Sequence, residues 1–357
     1  MENTIRRKVE SGARISDAEA LWLLTQGDLH FMGEMANIRR REKVGDNAYY
    51  QFNFNLNHTT ICELECELCA YYNNKSGYTM KLPEIEDAVR AASKKGANEV
   101  HIVGGLNPNL PFSYFIEMCQ RIKGIDKNMH IQAFTTVEID YFAKRSGKTT
   151  LQVLQELKDA GLDTLPGGGA EIFAQRVRDI ICSKKISGQA WLDIMEEAHS
   201  VGIPSNATML YGHVETPEEI IDHMRRLREV QDRTGGFFAF VPLAFFPQNT
   251  KIPGVAVGNF TSGVLDMKII SLGRIYLDNF DHVKSMWMIY GYKGCQVGLD
   301  YGADDIGGTY FDEIIVHAAG AETPKSVSKP EIIDLIKKMG RTPIEVNSKY
   351  QPVCVTV

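Results

Sequence analysis

Short runs of β-branched and aromatic residues alternate with longer stretches of helical periodicity along most of this chain. The predicted strands are residues 49–56, 99–103, 129–135, 162–165, 203–210, 237–245, 282–289 and 296–301. The predicted helices between them are residues 84–95, 111–123, 150–160, 188–201, 217–233 and 263–278. Strands that alternate with helices form parallel βαβ units. Eight such strands suit an α/β fold of the closed (β/α)8, TIM-type barrel.

The segments on either side of this repeat have a helical pattern. Ser16 and Glu19 have the spacing of a capping box, and a second helix is predicted over residues 31–41. Near the other end, Pro330 opens a helix that continues to residue 338. We therefore predict an N-terminal helical extension over residues 1–48, a barrel over 49–301, and a C-terminal helical extension over 302–357 that caps one barrel end.

Three closely spaced cysteines follow the first predicted strand. Cys62, Cys66 and Cys69 have the spacing C-x3-C-x2-C. Cysteine thiolates at such spacing hold cubic iron–sulfur clusters. Three ligands leave one of four irons open, and an open position is typical of a catalytic metal site. In a (β/α)8 barrel the loops that follow the strands form the catalytic face, so these cysteines are expected there.

A zinc site and a disulfide framework are the alternative uses of these cysteines. A zinc site needs a fourth protein ligand, and His58 is the nearby candidate. A disulfide framework is disfavoured because the chain has only seven cysteines, an odd number, in 357 residues. Reduced cysteines indicate the cytoplasm. The net charge of −6 and the lack of a basic tract argue against a nucleic-acid partner, and no apolar run is long enough to span a membrane.

Glycine-rich loops follow the second and fourth predicted strands. Gly104 and Gly105 could let backbone atoms approach a ligand closely, although a plain turn explains them as well. Glu171 comes after the three glycines at 167–169. A carboxylate there could hold the hydroxyls of a ribose by charge-assisted hydrogen bonds. Capping of a helix is the alternative for this glutamate.

Polar residues also mark the later strands. His213 follows the fifth strand and could act as an acid or base, whereas many lone histidines are structural. Asn206 lies within that strand, where a polar side chain needs a partner or a ligand. Lys284 lies in the seventh strand, where a charged side chain inside a barrel also needs a partner or a ligand. Arg274 and Lys293 are further cations, with solvated helix positions as the alternative.

These motifs together resemble the radical S-adenosylmethionine superfamily. The resemblance starts from the cysteine spacing and the Gly-Gly turn. Longer runs at 104–108, 165–173, 205–213, 226–231, 234–245 and 302–305 narrow it to the members that act in the futalosine route to menaquinone. The similarity extends from about residue 5 to residue 350.

The resemblance implies the cofactors and the residues that hold them. Cys62, Cys66 and Cys69 would bind a 4Fe-4S cluster. The S-adenosylmethionine, consumed as co-substrate, would be bound by the residues Leu68, Tyr71, Gly104, Gly105, Glu171 and Asn206. Leu68 replaces the aromatic residue usual before the third cysteine, so stacking with adenine falls to Tyr71 or Tyr72.

The resemblance also implies a reaction. The adenosyl radical would add to 3-[(1-carboxyvinyl)oxy]benzoate and give 6-amino-6-deoxyfutalosine, bicarbonate and methionine, with His213 and Lys284 beside the substrate. A flavodoxin or ferredoxin would supply electrons, although Glu63, Glu65 and Glu67 would repel an acidic donor. The nearer alternative is a sister enzyme that abstracts hydrogen, a cyclic dehypoxanthinyl futalosine synthase or a deazaflavin-forming synthase. A non-enzymatic zinc-binding α/β protein is the more distant one.

Overall fold

The computed structural model describes residues 1–309, 311 and 314–353. Its helices are α1 Glu2–Glu10, α2 Asp17–Gln26, α3 Leu29–Val44, α4 Leu82–Lys94, α5 Phe112–Ile125, α6 Thr136–Ser146, α7 Thr150–Asp159, α8 Gln175–Ile181, α9 Gly188–Ser200, α10 Pro217–Thr234, α11 Gly263–Tyr276, α12 Trp287–Asp300, α13 Ile315–Ala318 and α14 Lys329–Lys337. Its strands are β1 Asn47–Gln51, β2 Asn53–Leu56, β3 Glu99–Ile102, β4 His130–Ala133, β5 Ser205–Tyr211, β6 Phe237–Ala244, β7 His282–Val283, β8 Asp305–Gly308 and β9 Thr342–Glu345. In the described residues no helix is both long and apolar enough to cross a membrane.

The strands form a closed parallel ring. β2, β3 and β4 pair in that order, as do β5, β6 and β7, and β8 pairs with β1. Single bridges join these sheets at Gln132–Thr164, Leu165–Ser205 and Lys284–Asp305. β1 and β2 are two halves of one strand, separated by Phe52. The predicted (β/α)8 barrel is therefore confirmed, with a fourth strand reduced to two bridging residues.

Two strand predictions need correction. Residues 296–301 were expected to be the eighth strand, but they end helix α12. Cys295 and Leu299 are buried whereas Val297 is 43% exposed, which is the period of a helix and not of a strand. The eighth strand is β8, which lies inside the segment predicted as a C-terminal extension. The seventh is only the two residues of β7, and α12 already begins at Trp287.

The C-terminal segment is not purely helical. After α14 the chain enters β9, which pairs in parallel with β1. A turn follows, in which Ser348 donates its hydroxyl proton to Glu99 Oε2 at 2.6 Å and the Tyr350 hydroxyl donates to Asp305 Oδ2 at 2.7 Å. Both acceptors are buried side chains of barrel strands. The described part of this segment therefore closes the barrel at the end where the strands begin.

The N-terminal helices pack on the outside of the barrel. α2 begins with the predicted capping box, in which the Ser16 side chain accepts from Glu19 N and the Glu19 carboxylate accepts from Ser16 N. α3 packs against α11, and Gly33 of α3 also lets the ring of Tyr301, just after α12, approach closely. The two predicted helices are present as α2 and α3, α1 is an additional one, and the last residues before 49 already belong to β1.

Candidate active site

The loop after β2 brings the three cysteines to one cavity. Cys62, Cys66 and Cys69 line a cavity of about 270 Å³. Cys66 is buried, and the other two are half-buried. The side chain of Asn74 fixes the loop, because it accepts from Cys62 N and donates to Cys62 O, both at 2.9 Å. The thiols are therefore gathered around one space by loop geometry.

The acidic spacers face away from that cavity. Glu63 and Glu65 are exposed. Glu65 has a φ of +47° and accepts from Asn74 Nδ2 at 2.5 Å, while Glu63 accepts from the Tyr141 hydroxyl at 3.4 Å. Alternation along the loop thus directs sulfur inward and carboxylate outward. The charges of Glu63 and Glu65 therefore lie on the surface of the molecule, whereas Glu67 is half-buried.

His58 does not complete a zinc site. Its imidazole is fully buried against Gly104, where an added Cβ would lie 2.1 Å from His58 Cε1. Burial lowers the pKa of this histidine to about 4. Among the described residues, no three His, Cys, Asp or Glu side chains converge on a single metal ion. In a cubic cluster each thiolate binds a different iron, so thiols spread around a cavity fit a cluster better than a zinc ion.

The glycine pair is needed where two loops touch. A Cβ on Gly105 would lie 2.2 Å from the Ile61 carbonyl oxygen, and Gly105 N donates to Thr59 O at 3.0 Å. Gly104 and Gly105 also line the cysteine cavity. Nearby, Asn107 donates to the Thr79 hydroxyl at 2.8 Å and so ties the same loops together. The pair therefore has a packing role, and its backbone also reaches the cavity.

Glu171 forms an ion pair that the sequence did not indicate. Its Oε1 lies 2.5 Å from Lys185 Nζ, and both residues line the cysteine cavity. Burial alone would raise the pKa of Glu171, but the Lys185 ammonium outweighs it and the pKa is lowered. Gly167 is required just before, since its φ is +84° and a Cβ would lie 2.3 Å from the Asn206 carbonyl oxygen. The fold thus holds an ionised carboxylate at the cavity wall.

Glu138 is a second carboxyl group on this cavity. Burial raises its pKa to about 7, although it accepts from Thr135 N at 2.7 Å. In the sequence, Thr135 and Glu138 have the spacing of an ordinary capping box, and they do form one at the start of α6. Because the capping box fully explains Glu138 in the sequence, the sequence did not indicate that this residue also lines the cavity. Neither it nor Lys185 was among the predicted site residues.

A second cavity of about 190 Å³ adjoins the first. Leu68, Cys69, Tyr71 and Glu171 line both cavities. Its other walls are mainly apolar and are formed by Leu210, Leu243, Ala244, Phe245, Phe246, Ile289, Ile315, Val316 and Ala319 together with Ala70. The predicted pair Leu68 and Tyr71 therefore lies between the thiols and an aromatic, apolar space.

A third cavity, of about 200 Å³, lies inside the barrel. Lys284 and Asn206 line it, as predicted for side chains inside the barrel. Its polar wall also includes Asn55, Asn57, His101, Gln132 and Thr208, and its apolar wall includes Val241, Leu243, Met286 and Met288. Val103, Thr135 and Gly168 line both this cavity and the cysteine cavity. The two spaces therefore share a wall at the carboxyl ends of the strands.

His213 has a different environment. Its side chain is fully buried, its Nε2 lies 3.0 Å from the Leu210 carbonyl oxygen, and its Nδ1 accepts from Val214 N at 2.8 Å. The imidazole also lies 2.9 Å from Glu215. His213 is not among the described residues that line the three cavities. Its contacts support a loop-stabilising role more than the predicted catalytic one.

The two other candidate cations do not line the cavities either. Arg274 is buried, and its guanidinium binds the Asp304 carboxylate and the Gly302 carbonyl oxygen. Lys293 is exposed on α12. Neither lines any of the three cavities among the described residues. Of the cations considered from the sequence, Lys284 is the one that the fold directs to a cavity.

Comparison with sequence families identifies two matching regions. Residues 56–227 match the family described as the radical SAM superfamily. Residues 234–356 match the CofH/MqnC C-terminal region. The boundary between them falls within the last part of α10, before β6, so each region contributes part of the ring.

Individual proteins are similar over most of this chain. An aminodeoxyfutalosine synthase of Thermus thermophilus is 39% identical, over 98% of this chain and 95% of that protein. A 5-amino-6-(D-ribitylamino)uracil–L-tyrosine 4-hydroxyphenyl transferase of Methanosarcina barkeri is 40% identical, over 89% of this chain and 85% of that protein. The crystal structure of methylornithine synthase (PylB) has a TM-score of 0.73 at 17% identity, covers 95% of this chain and 97% of that one, and thus shares the fold.

Proposed function

This chain belongs to the radical S-adenosylmethionine superfamily, and from that premise we propose that it is an aminodeoxyfutalosine synthase. Members of the superfamily bind a 4Fe-4S cluster and S-adenosylmethionine. The proposed acceptor of the adenosyl group is 3-[(1-carboxyvinyl)oxy]benzoate. The product would be 6-amino-6-deoxyfutalosine, an intermediate of the futalosine route to menaquinone.

Cys62, Cys66 and Cys69 would hold the cluster, since all three line one cavity. When bound, the cluster supplies the electron that cleaves S-adenosylmethionine into methionine and an adenosyl radical. The backbone at Gly104 and Gly105 lines the same cavity and would contact the methionyl part. These residues would therefore hold the cluster and the methionyl part of S-adenosylmethionine in the same cavity.

Glu171 would accept hydrogen bonds from the ribose hydroxyls. The Lys185 ammonium keeps this buried carboxylate ionised, and an ionised acceptor forms stronger hydrogen bonds than a neutral one. Leu68 and Tyr71 would pack against adenine from the adjoining apolar cavity. These contacts orient the C5′ carbon before any bond is broken, which is the main contribution a protein can make to a radical addition.

The observation that carries the proposal is the shared wall between the cysteine cavity and the barrel cavity. Val103, Thr135 and Gly168 line both, so a group released from the cofactor site is next to a ligand in the barrel. The barrel cavity offers a buried cation and an apolar wall, which suit an aromatic carboxylate. Apolar walls also exclude water from a reactive carbon radical.

In the proposed reaction a carbon–carbon bond forms between C5′ and the alkene of the enol ether. The aryl group then migrates, and the carboxylate leaves with a water molecule as bicarbonate. The electron taken up at the start is returned at the end, so that no net oxidant is required. The addition itself transfers no proton, so it needs no acid or base at the reacting carbon.

A second function is favoured by the 40% identity to the 4-hydroxyphenyl transferase. In that case the substrates would be L-tyrosine and 5-amino-6-(D-ribitylamino)uracil, and the adenosyl radical would abstract hydrogen. 5′-Deoxyadenosine would then accompany the product. The two functions differ in where the adenosyl group ends up, and this difference can be measured directly.

The test uses the anaerobically reconstituted, reduced enzyme and mass spectrometry. With S-adenosylmethionine and the enol ether we expect 6-amino-6-deoxyfutalosine and an equal amount of methionine. A Cys66→Ala variant should give no product. If 5′-deoxyadenosine is the main adenosyl product, the proposal is overturned in favour of the transferase. Turnover of L-tyrosine with 5-amino-6-(D-ribitylamino)uracil would have the same meaning.

We also propose a cytoplasmic enzyme that receives electrons from a small redox protein. The described cysteines outside the proposed cluster are buried, unpaired thiols, as expected in a reducing compartment. A flavodoxin or ferredoxin is the proposed donor. Because Glu63 and Glu65 are exposed beside the cysteine loop, the face of the donor that meets this loop should carry lysine or arginine residues.

A further inference from the structure

Lys284 lies in the barrel cavity and pairs with Asp305, the first residue of β8, at the end of the barrel where that strand begins. Lys284 is 5% exposed. It lines the barrel cavity but not the cysteine cavity or the adjoining apolar cavity. Its Nζ lies 3.1 Å from Gln51 Oε1 and 3.1 Å from Asp305 Oδ2, the acceptors that the described residues provide. An ammonium has three donors, so one is left for a ligand in the cavity.

Asp305 does not fully neutralise the positive charge of Lys284, because its carboxylate has several other partners. The Asp305 carboxylate also accepts from Gln51 Nε2 at 2.9 Å, from the Tyr350 hydroxyl at 2.7 Å and from Gly307 N at 2.6 Å. These donors stabilise the buried anion, and the lysine is its most distant partner. Asp305 therefore positions the ammonium while sharing its own charge among several groups.

The rest of the barrel cavity indicates what kind of anion would bind. Lys284 is the one lysine or arginine among the residues that line it. Burial lowers the pKa of His101, so this histidine is neutral and adds no second charge. A single cation suits a carboxylate more than a phosphate. Met286 and Met288 also line this cavity and offer polarisable sulfur to an aromatic ring.

The geometry assigns an orientation to the substrate, and this inference rests on the proposed function for its identity. We infer that Lys284 binds the carboxylate on the benzoate ring, while the enol-ether carbon faces Thr135 and Gly168. The proposed substrate has a carboxylate at each end. Since Thr135 and Gly168 lie on the wall shared with the cysteine cavity, only this orientation places the alkene beside the cofactor.

The test measures binding by anaerobic calorimetry to the oxidised holoenzyme with S-adenosylmethionine, so that no turnover is needed. Two probes each carry one carboxylate. 3-Methoxybenzoate has only the ring carboxylate, and 2-phenoxyacrylate has only the one on the enol carbon. In Lys284→Met we expect the affinity for 3-methoxybenzoate to fall about 10- to 100-fold, with less than about a threefold change for 2-phenoxyacrylate.

The controls separate charge from folding. Lys284→Gln keeps a donor for Asp305 but has no charge, and it should show the same selective loss; Lys284→Arg should retain binding of 3-methoxybenzoate. Lys293→Met removes an exposed lysine that lines none of the three cavities and should leave the affinities for both probes unchanged. Iron content and circular dichroism verify that each variant is folded.

The opposite selectivity, or equal loss of both probes, would overturn the inferred orientation while leaving the proposed function intact. An unchanged affinity for 3-methoxybenzoate in both uncharged variants would do the same. If neither probe binds the wild-type holoenzyme, the proposed substrate is wrong and the inference fails with it.

Discussion

At the scale of single residues, the ion pair between Glu171 and Lys185 shows how this fold keeps a charge inside. Both side chains are buried, and an unpaired carboxylate there would be protonated or costly. The glutamate was predicted from its place after a glycine loop. The lysine was not, because its nearness to Glu171 depends on how the loop after α8 folds back to the cavity.

We expect Lys185→Met to weaken the binding of S-adenosylmethionine by about 10- to 100-fold, since an unpaired Glu171 becomes protonated and loses strong hydrogen bonds. Calorimetric titration of the holoenzyme measures this. Lys184→Met is the matched control, because Lys184 is the exposed neighbour and should change nothing. Equal effects of the two changes would show that general charge, and not this ion pair, matters.

Glu138 predicts a pH dependence of stability. Burial raises its pKa from 4.5 to about 7, so between these pH values the folded protein binds more protons than the unfolded chain. Stability then falls as the pH rises, by about 3 kcal/mol in full. In Glu138→Gln this loss is absent, so its melting temperature should exceed that of the wild type at pH 8.5 and match it near pH 5. A constant difference across that range would rule out this titration.

Some predicted site residues line the cavities and others do not, and the difference has a physical reason. Residues fixed by close spacing or by a strand position, such as Cys66, Gly105, Glu171 and Lys284, do line the cavities. His213 was chosen because it follows a strand, but a loop can turn its side chain inward to bond its own backbone. Sequence position gives the edge of the sheet, whereas the direction of a loop side chain depends on local hydrogen bonds.

At the scale of elements, the barrel was predictable because each strand is followed by an amphipathic helix. The errors fall where strands are short. The fourth strand pairs through Thr164 and Leu165 alone, and β7 has two residues. Such strands have too few residues to show a period, so the predicted boundaries moved into α12. β9 escaped prediction because its pairing with β1 joins residues almost 300 positions apart.

The contact between the cysteine loop and the loop after β3 gives a prediction at this scale. We expect Gly105→Ala to displace the cysteine loop, because its Cβ would lie 2.2 Å from the Ile61 carbonyl oxygen. Iron and sulfide content after reconstitution, and visible absorption, should fall by more than half. Gly124→Ala on α5 has nothing within 4 Å of the added carbon and should retain the cluster. A full iron content in Gly105→Ala would contradict the close approach.

At the scale of the whole molecule, the turn near the C-terminal end of the described chain contacts two strands of the barrel. Ser348 contacts Glu99, and Tyr350 contacts Asp305, which in turn positions Lys284. The ring of Tyr350 also stacks on His282 at 3.5 Å between centroids. The C-terminal turn is therefore part of the wall behind the barrel cavity, although it is distant from the cysteines in sequence.

This arrangement predicts that Ser348→Ala destabilises the protein by about 1–3 kcal/mol, since the buried Glu99 carboxylate loses a hydroxyl donor at 2.6 Å. Denaturation of the holoenzyme by urea measures the change in the free energy of unfolding. Ser326→Ala is the matched control at an exposed serine and should lie within about 0.5 kcal/mol of the wild type. Similar losses for both serines would remove the special role of the C-terminal turn.

The same turn sets an order of events during protein synthesis. The Glu99–Ser348 contact spans 249 residues, so the barrel floor stays incomplete until the ribosome has released nearly all of the described chain. Until then Asp305 lacks its tyrosine donor, and the buried polar groups around Lys284 are exposed to water. The nascent barrel can form its cysteine loop early, but the pocket for the acceptor is complete only after Tyr350 has left the ribosome and reached Asp305.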